Sequence, residues 1–380
     1  MQSLKLASNI LKFGHRQTCS CKFSPPLPPT LIFKPTMNKT KLFAAFVLSG
    51  LATVAMAESS VTLYGIVDLS LSRESNSSGT ATRMESGVLN GSRFGFKGTE
   101  DLGGGLAARF QLEGGINADD GSLAQGGRIF GRTAWVGFEG GFGQVRLGRQ
   151  YTPIYLTLLN VDPFGGALKG DMASRNWFNN GGARIDNSVA YYSPTMSGFS
   201  ASALYGLGEV PDKSSASRTL GLSLVYNQGP VVLATAYNRR DNAAATDNER
   251  AAFVGGSYDF GPVKVHAAYD DVRGSNALVY VPVHLSDSMV GVSAPVGPGR
   301  LMLSYIRKND KLNADTDAHQ WAVGYQYDLS KRTALYASYA NAKNQKNSKI
   351  NTRYNVNFTD NGGTPGTSDK VFDIGIRHSF

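Results

Sequence analysis

The chain has 380 residues, is 41% hydrophobic and carries a formal charge of +9. No stretch of its body reaches the roughly 18 apolar residues that a membrane helix needs, so helical spans are excluded. Residues 1–57 hold seven Lys and Arg and no acid, and the rest carries 31 basic against 29 acidic residues, a net of +2. The basicity belongs to the leader, and no nucleic-acid partner is expected.

The leader reads as a secretory signal. Met37-Asn38-Lys39-Thr40-Lys41 forms a charged segment, Leu42 to Val54 an apolar one too short to span, and Ala55-Met56-Ala57 a small-x-small cleavage site. Residues 37–57 are therefore expected to be a signal peptide, cut between Ala57 and Glu58. Residues 1–36 include Pro25-Pro26-Leu27-Pro28-Pro29 and no strand pattern, and read as an extension from a misassigned upstream start. A long presequence is the alternative. Cys19 and Cys21 both lie in this part, so the mature chain, residues 58–380, has no disulfide to stabilise it. A closed barrel would serve instead, because every strand is then paired.

From Glu58 onward the residues alternate. Arg93-Phe94-Gly95-Phe96-Lys97 sets aromatics on one parity and cations on the other. Leu106 to Glu113 places Leu, Ala, Phe and Leu opposite Ala, Arg, Gln and Glu, and Gln320 to Leu329 repeats the pattern. A period of two means strands with one apolar and one polar face. The terminal segment Val371 to Phe380 alternates over ten residues, the length of a strand tilted across a bilayer.

Tight connections rich in Gly, Pro, Asp or Ser fall near 101–105, 140–143, 195–198, 228–230, 260–262, 297–300 and 330–332. Longer polar ones fall near 73–91, 114–131, 150–185, 207–217, 239–249, 271–287, 308–318 and 342–369. Fifteen connections give sixteen strands, with both termini on the short-turn side. The fold class is thus all-β, a transmembrane antiparallel barrel of sixteen strands. Its polar parity faces a water-filled lumen and its apolar parity faces lipid. Aromatics such as Tyr191, Tyr258, Tyr305, Tyr327 and Phe380 are expected to form the interfacial girdles. A soluble sandwich or propeller explains neither the signal nor the ladder of apolar faces.

Ser60 to Asp68, Ser92 to Gly105, Leu147 to Tyr151 and the terminal Phe380 together resemble Gram-negative general porins of the beta-proteobacterial type. The resemblance covers the whole mature chain. It implies a homotrimer of sixteen-stranded barrels in the outer membrane, each narrowed by its third loop and open to passive diffusion of small hydrophilic solutes. It also implies that Phe380 is read by the barrel-assembly machinery. Outer-membrane lipid and lipopolysaccharide would surround the barrel.

The third long connection, Tyr151 to Ala183, is the candidate constriction loop. Its first half is apolar, Ile154-Tyr155-Leu156-Thr157-Leu158-Leu159, which argues for packing inside the barrel. Asp162-Pro163-Phe164-Gly165-Gly166 resembles the family's loop tip. The loop offers Asp162 and Asp171 as an acidic side, set against Lys169 and Arg175, where the family often carries more acid. Opposite it, parity turns Arg93, Lys97, Arg109 and Arg146 to the lumen. Arg184 shares the parity of Asp186 and Ser188. Arg132 faces the lumen if Trp135 faces lipid. The resemblance implies that Arg93, Arg132 and Arg184 form a ladder at the constriction, with Lys97, Arg109 and Arg146 lining the lumen.

Guanidiniums beside a narrow water path favour anions over cations. The expected function is an outer-membrane diffusion pore that prefers anions. The alternative is a porin selective for phosphate or small carboxylates, which would need a continuous arginine track. An outer-membrane enzyme is the rival from another class. His266, His284, His319 and His378 are scattered, without metal-binding spacing, and no G-x-S-x-G elbow is present. Neither a cofactor nor a metal is therefore expected. Gly65 and Gly137 are expected on the lipid side, where small residues suit close packing between barrels.

Overall fold

The computed structural model describes residues 60–173, 178, 182–275, 282–312, 316–345, 358 and 366–380. The expected leader, its expected cleavage site and Arg175 lie outside them. The chain divides into a unit Met1–Ala55 and a unit Met56–Phe380, and the second is the barrel.

Its strands are β1 (Ser60–Asn76), β2 (Gly79–Ser86), β3 (Arg93–Gly103), β4 (Leu106–Gly115), β5 (Thr133–Gly140), β6 (Gly143–Tyr151), β7 (Arg184–Tyr192), β8 (Phe199–Gly206) and β9 (Thr219–Gln228). They continue with β10 (Val231–Asp241), β11 (Asn248–Asp259), β12 (Lys264–Ser275), β13 (Pro282–Val296), β14 (Gly299–Asp310), β15 (Ala318–Asp328), β16 (Thr333–Asn344) and β17 (Ser368–Ser379). Each pairs antiparallel with its neighbour, and β1 closes the ring on β17 with Leu69 opposite Ile376. The short turns fall where turn chemistry placed them.

The seventeen segments occupy sixteen positions. β2 and β3 both pair with the same side of β1, β2 along Leu69–Asn76 and β3 along Ser60–Ile66. They are one barrel strand interrupted at residues 87–92. Asp68, opposite the gap, organises it. Its Oδ2 accepts from the Asn90 backbone N–H at 2.7 Å, and its carbonyl accepts from Gly87 N–H at 2.9 Å and Ser92 Oγ at 3.0 Å. The polar loop expected over 73–91 is therefore corrected. The hairpin runs on through 86, and the irregular stretch follows it.

The faces are sorted oppositely to those of a water-soluble protein. Val61 is 68% exposed and Leu63 59%, whereas Asp68 and Asp373 are fully buried. Apolar side chains cover the outside because lipid, not water, is the solvent there. Two parity expectations fail on β5. Trp135 is buried, on the face of Thr133 and Glu139, while Val136 and Phe138 point out. Gly137 shares the inward parity of Trp135 and is not a lipid-side residue. Gly65 is on the outward face, but the terminal Phe380 of the same chain lies over it. A Cβ there would meet the ring at 2.2 Å.

The third loop folds inward. Its helix, Pro153–Val161, starts on a Thr152 cap and has proline at its first position. Ile154, Leu158, Val161, Phe164, Leu168 and Met172 are buried with Phe253, Met289, Met302 and Ile306 of the wall. Two wall glycines allow this close approach: a Cβ on Gly291 would meet Pro163 Cγ at 2.6 Å, and one on Gly324 would meet Phe164 and Leu168 at 2.8 Å. Polar tethers add to the packing. Ser304 Oγ donates to Gly170 O at 2.8 Å, Gln320 Nε2 to Lys169 O at 3.0 Å, and Leu168 N–H to Val88 O at 2.7 Å. The buried Lys169 ammonium pairs with Glu85 on β2. The loop is thus fixed to β14 and β15 and to the β2 end of the wall.

Candidate functional site: a guanidinium cluster at the root of the third loop

Three of the cations singled out in sequence meet where the third loop leaves β6. Tyr151 is the hub for two of them, Arg132 and Arg184. Its hydroxyl accepts from Arg132 Nη2 at 2.9 Å and from Arg184 Nη2 at 2.6 Å, and the Arg184 guanidinium lies 4.4 Å from its ring centre. Tyr155 of the loop helix stacks on Tyr151 at 5.2 Å. Burial pushes the Tyr155 hydroxyl above its ordinary value, with Tyr151 adding to the effect.

Arg93 reaches the cluster from the start of β3. Its Nε donates to Gly91 O at 2.8 Å, and Arg132 crowds the same glycine, with Nη1 2.9 Å from where a Cβ would sit. The interruption of the β2–β3 strand therefore brings these two cations together. Glu113 of β4 is their counter-charge. Its Oε1 lies 2.7 Å from Arg132 Nε and 3.9 Å from Arg93 Nη1, and its Oε2 accepts from the Tyr64 hydroxyl at 2.9 Å. Arg93, Arg132 and Arg184 against Glu113 leave an excess of two positive charges.

The acids named from the loop do not lie open to the lumen, although the charge of Asp171 reaches Tyr155. Asp162 and Asp171 are buried within the loop, 5% and 3% exposed. Asp162 accepts from the backbone N–H groups of Phe164 at 3.1 Å and Gly166 at 2.7 Å, and Asp171 from that of Ala173 at 2.9 Å. Both carboxylates hold the loop's turns, because loop amides buried against a wall need acceptors. Burial, and then the nearby Asp171, push the Asp162 carboxyl up to about 8. The acid beside the arginines is Glu113. Its inward parity was legible in the sequence, but nothing in the alternation marked it among other lumen acids.

The shared parity of Arg184, Asp186 and Ser188 also fails. Asn187, at φ 51°, inserts an extra residue into β7 where it pairs with β6. Asp186 instead pairs with Arg149 at 2.5 Å and Arg128 at 2.9 Å. Arg132 joins the cluster although Trp135 faces inward, because it precedes β5 and is not bound by that strand's alternation. The premise for Arg132 was wrong and its placement follows from the irregular segment.

Lys97, Arg109 and Arg146 lie further along β3, β4 and β6, on the face of Thr62, Gln111 and Gln144. Arg109 pairs with Glu139 at 3.0 Å. Lys97 lies 5.4 Å from the Tyr64 ring centre, and Arg146 is held between Trp135 and Tyr192 at 4.4 Å from each. Among the described residues no cluster of His, Cys, Asp or Glu could hold a metal.

A closed sixteen-stranded barrel with an apolar exterior, a charged interior and an inward third loop defines an outer-membrane channel. Residues 44–347 match the Gram-negative porin family, and the chain belongs to it. It is 35% identical to outer membrane porin protein 32 of Delftia acidovorans over 90% of this chain and 100% of that one. It is 34% identical to an outer membrane porin protein of Bordetella pertussis over 81% of this chain and 95% of that one. Its fold is similar to that of an anion-selective porin from Comamonas acidovorans, with TM-score 0.74, 33% identity, and coverage of 85% and 100%. The trimer form of OmpT from Vibrio cholerae has a similar fold, with TM-score 0.61, 18% identity, and coverage of 85% and 99%. The protein is a porin of the Gram-negative outer membrane that crosses it repeatedly with strands and forms a water-filled pore for small hydrophilic solutes.

Proposed function

We propose that this porin prefers anions and that Arg93, Arg132 and Arg184 set the preference. The supporting observation is that Arg132 and Arg184 both donate to the Tyr151 hydroxyl, while Arg93 joins Arg132 at Glu113, a carboxylate that neutralises the three only in part. In a narrow aqueous path, a small excess of fixed positive charge lowers the barrier for anions and raises it for cations. The inward third loop supplies the narrowing. The relative from Comamonas whose fold this chain shares is an anion-selective porin, which agrees with this reading. Tight binding is not required, since a diffusive channel must release what it admits.

The test is the reversal potential under a KCl gradient in planar bilayers. Wild type should favour chloride in dilute salt. Neutralising Arg93, Arg132 and Arg184 together to Gln should move the potential toward cations. The shift should shrink as ionic strength rises, because salt screens the charges. An unchanged ion preference in the triple variant overturns the assignment.

The assembled form in this proposal is a homotrimer in outer-membrane lipid and lipopolysaccharide, delivered by the barrel-assembly machinery reading Phe380. Residues 37–57 act as the signal peptide and the mature chain begins at Glu58. N-terminal sequencing of outer-membrane material checks this. A mature chain that keeps residues 1–36 overturns it.

A further inference from the structure

A second cationic feature lies on the short-turn side of the cluster. A cavity of about 330 Å³ is lined by Thr62, Lys97, Arg109, Gln111, Trp135 and Arg146, with Gln144 beside them. Lys97 is four residues beyond Arg93 on the same strand, roughly 13 Å at the usual strand rise. The cavity is therefore a separate place from the arginine cluster.

Its charge is uneven. Arg109 is neutralised by Glu139 at 3.0 Å. Lys97 and Arg146 take part in no ion pair found among the described residues, so two positive charges face the cavity. Arg146 is also fixed. The Trp135 and Tyr192 ring centres each lie 4.4 Å from its Cζ, and its Nε donates to Gln144 Oε1 at 2.7 Å. The two rings and Gln144 hold the guanidinium in place. What remains is the edge formed by Nη1 and Nη2, two parallel N–H donors in a plane. That edge matches two oxygens of one carboxylate or phosphate group, and the stacking already holds it in one orientation.

We propose that this cavity is a second anion station, which takes small carboxylates or phosphate through the open edge of Arg146, with Lys97 as the second charge. The proposal rests on the reading of the chain as a pore but not on the role of the three constriction arginines. The cavity is far larger than a single oxyanion, so the bound ion keeps part of its water. Binding is then weak and exchangeable, as conduction requires. Solutes carrying a forked anionic group would dwell here, whereas chloride, a single point of charge, gains less because it cannot match two donors with two separate oxygens.

The experiment measures block of chloride current through the full-length mature trimer in planar bilayers by succinate and, separately, by inorganic phosphate. Both probes should reduce the current in wild type at concentrations where added chloride does not. In the double variant Lys97→Gln/Arg146→Gln the half-blocking concentration should rise about tenfold, the loss of a charge-assisted forked contact. Arg146→Lys keeps the charge and removes the fork, so its block should weaken while its reversal potential stays that of wild type. Lys97→Gln alone leaves the stacked arginine intact and should weaken block about threefold, which keeps the test open if Arg146 variants fold poorly. Block by one probe alone narrows the ligand class and supports the station. No block of wild type by either probe, or the same half-blocking concentration in wild type and Lys97→Gln, overturns it. Failure of the constriction reading is seen separately, as an unchanged reversal potential in the triple arginine variant.

Discussion

Glu113 and Arg132 share a 2.7 Å hydrogen-bonded ion pair, and the same carboxylate takes the Tyr64 hydroxyl on its other oxygen. Glu113 therefore does two things at once. It fixes Arg132 beside the path, and it cancels part of the charge that favours anions. Glu113→Gln keeps an acceptor for Arg132 and removes the negative charge. A unit charge acting over roughly 7 Å is worth about 0.6 kcal/mol in water with opposite sign for anion and cation, so the permeability ratio moves by about 1.2 kcal/mol, roughly sevenfold. The variant should raise the anion-to-cation ratio by that order, read from reversal potentials in dilute KCl. A ratio equal to or below wild type contradicts the assignment of Glu113 as the local counter-charge.

The loop tip should respond to pH through Asp162. Its carboxyl rises from 3.8 to about 8 because it is buried beside Asp171. A raised carboxyl favours the folded loop most when protonated. That stabilisation is complete below the ordinary value of 3.8 and is lost as pH climbs through about 8. Open-channel noise from loop motion should therefore increase progressively from about pH 4 to about pH 8 and level off above it. Asp162→Asn, which cannot ionise, should show a flat profile over the same range. A wild-type profile as flat as that of the variant refutes the coupling.

Phe380 and Gly65 form one structural unit at the seam of the barrel. Their backbones exchange two hydrogen bonds, at 3.1 and 3.0 Å, and the ring covers the bare face of the glycine. Phe380→Ser should lower the yield of folded barrel far more than it alters conductance. Gly65→Val should do the same from the other side, since its side chain would occupy the place of the ring. Heat-modifiable gel mobility measures the folded fraction, and bilayer recordings of the surviving channels give the conductance. Normal yield from either variant would sink this account of the seam.

The proposed trimer should be indifferent to reductant, since the two cysteines, Cys19 and Cys21, lie in the expected leader. Unheated samples should migrate near three times the monomer mass with or without thiol. A stable monomer in mild detergent, or a trimer lost on reduction, counts against it.

The sequence by itself determined the barrel. A two-residue period with one apolar face is a local property, repeated in every strand, and needs no knowledge of partners to be read. Turn residues counted the connections for the same reason, and Arg93, Lys97, Arg109 and Arg146 were placed inward by their immediate neighbours. Alternation fails wherever the backbone departs from an ideal strand. The gap at 87–92 brings Arg93 and Arg132 onto one carboxylate, and the extra residue at Asn187, φ 51°, puts Arg184 and Ser188 on opposite faces. Trp135 defied the expectation that a large apolar ring faces lipid, because stacking on Arg146 gives it a partner inside. The roles of Asp162 and Asp171 were not legible either, since a loop carboxylate can face water or cap its own backbone with the same residues. Only the packing of the third loop against Gly291 and Gly324 decided that both turn inward upon the loop, leaving Glu113 to balance the arginines. Those outcomes depend on contacts between residues far apart in the chain, which no local period encodes.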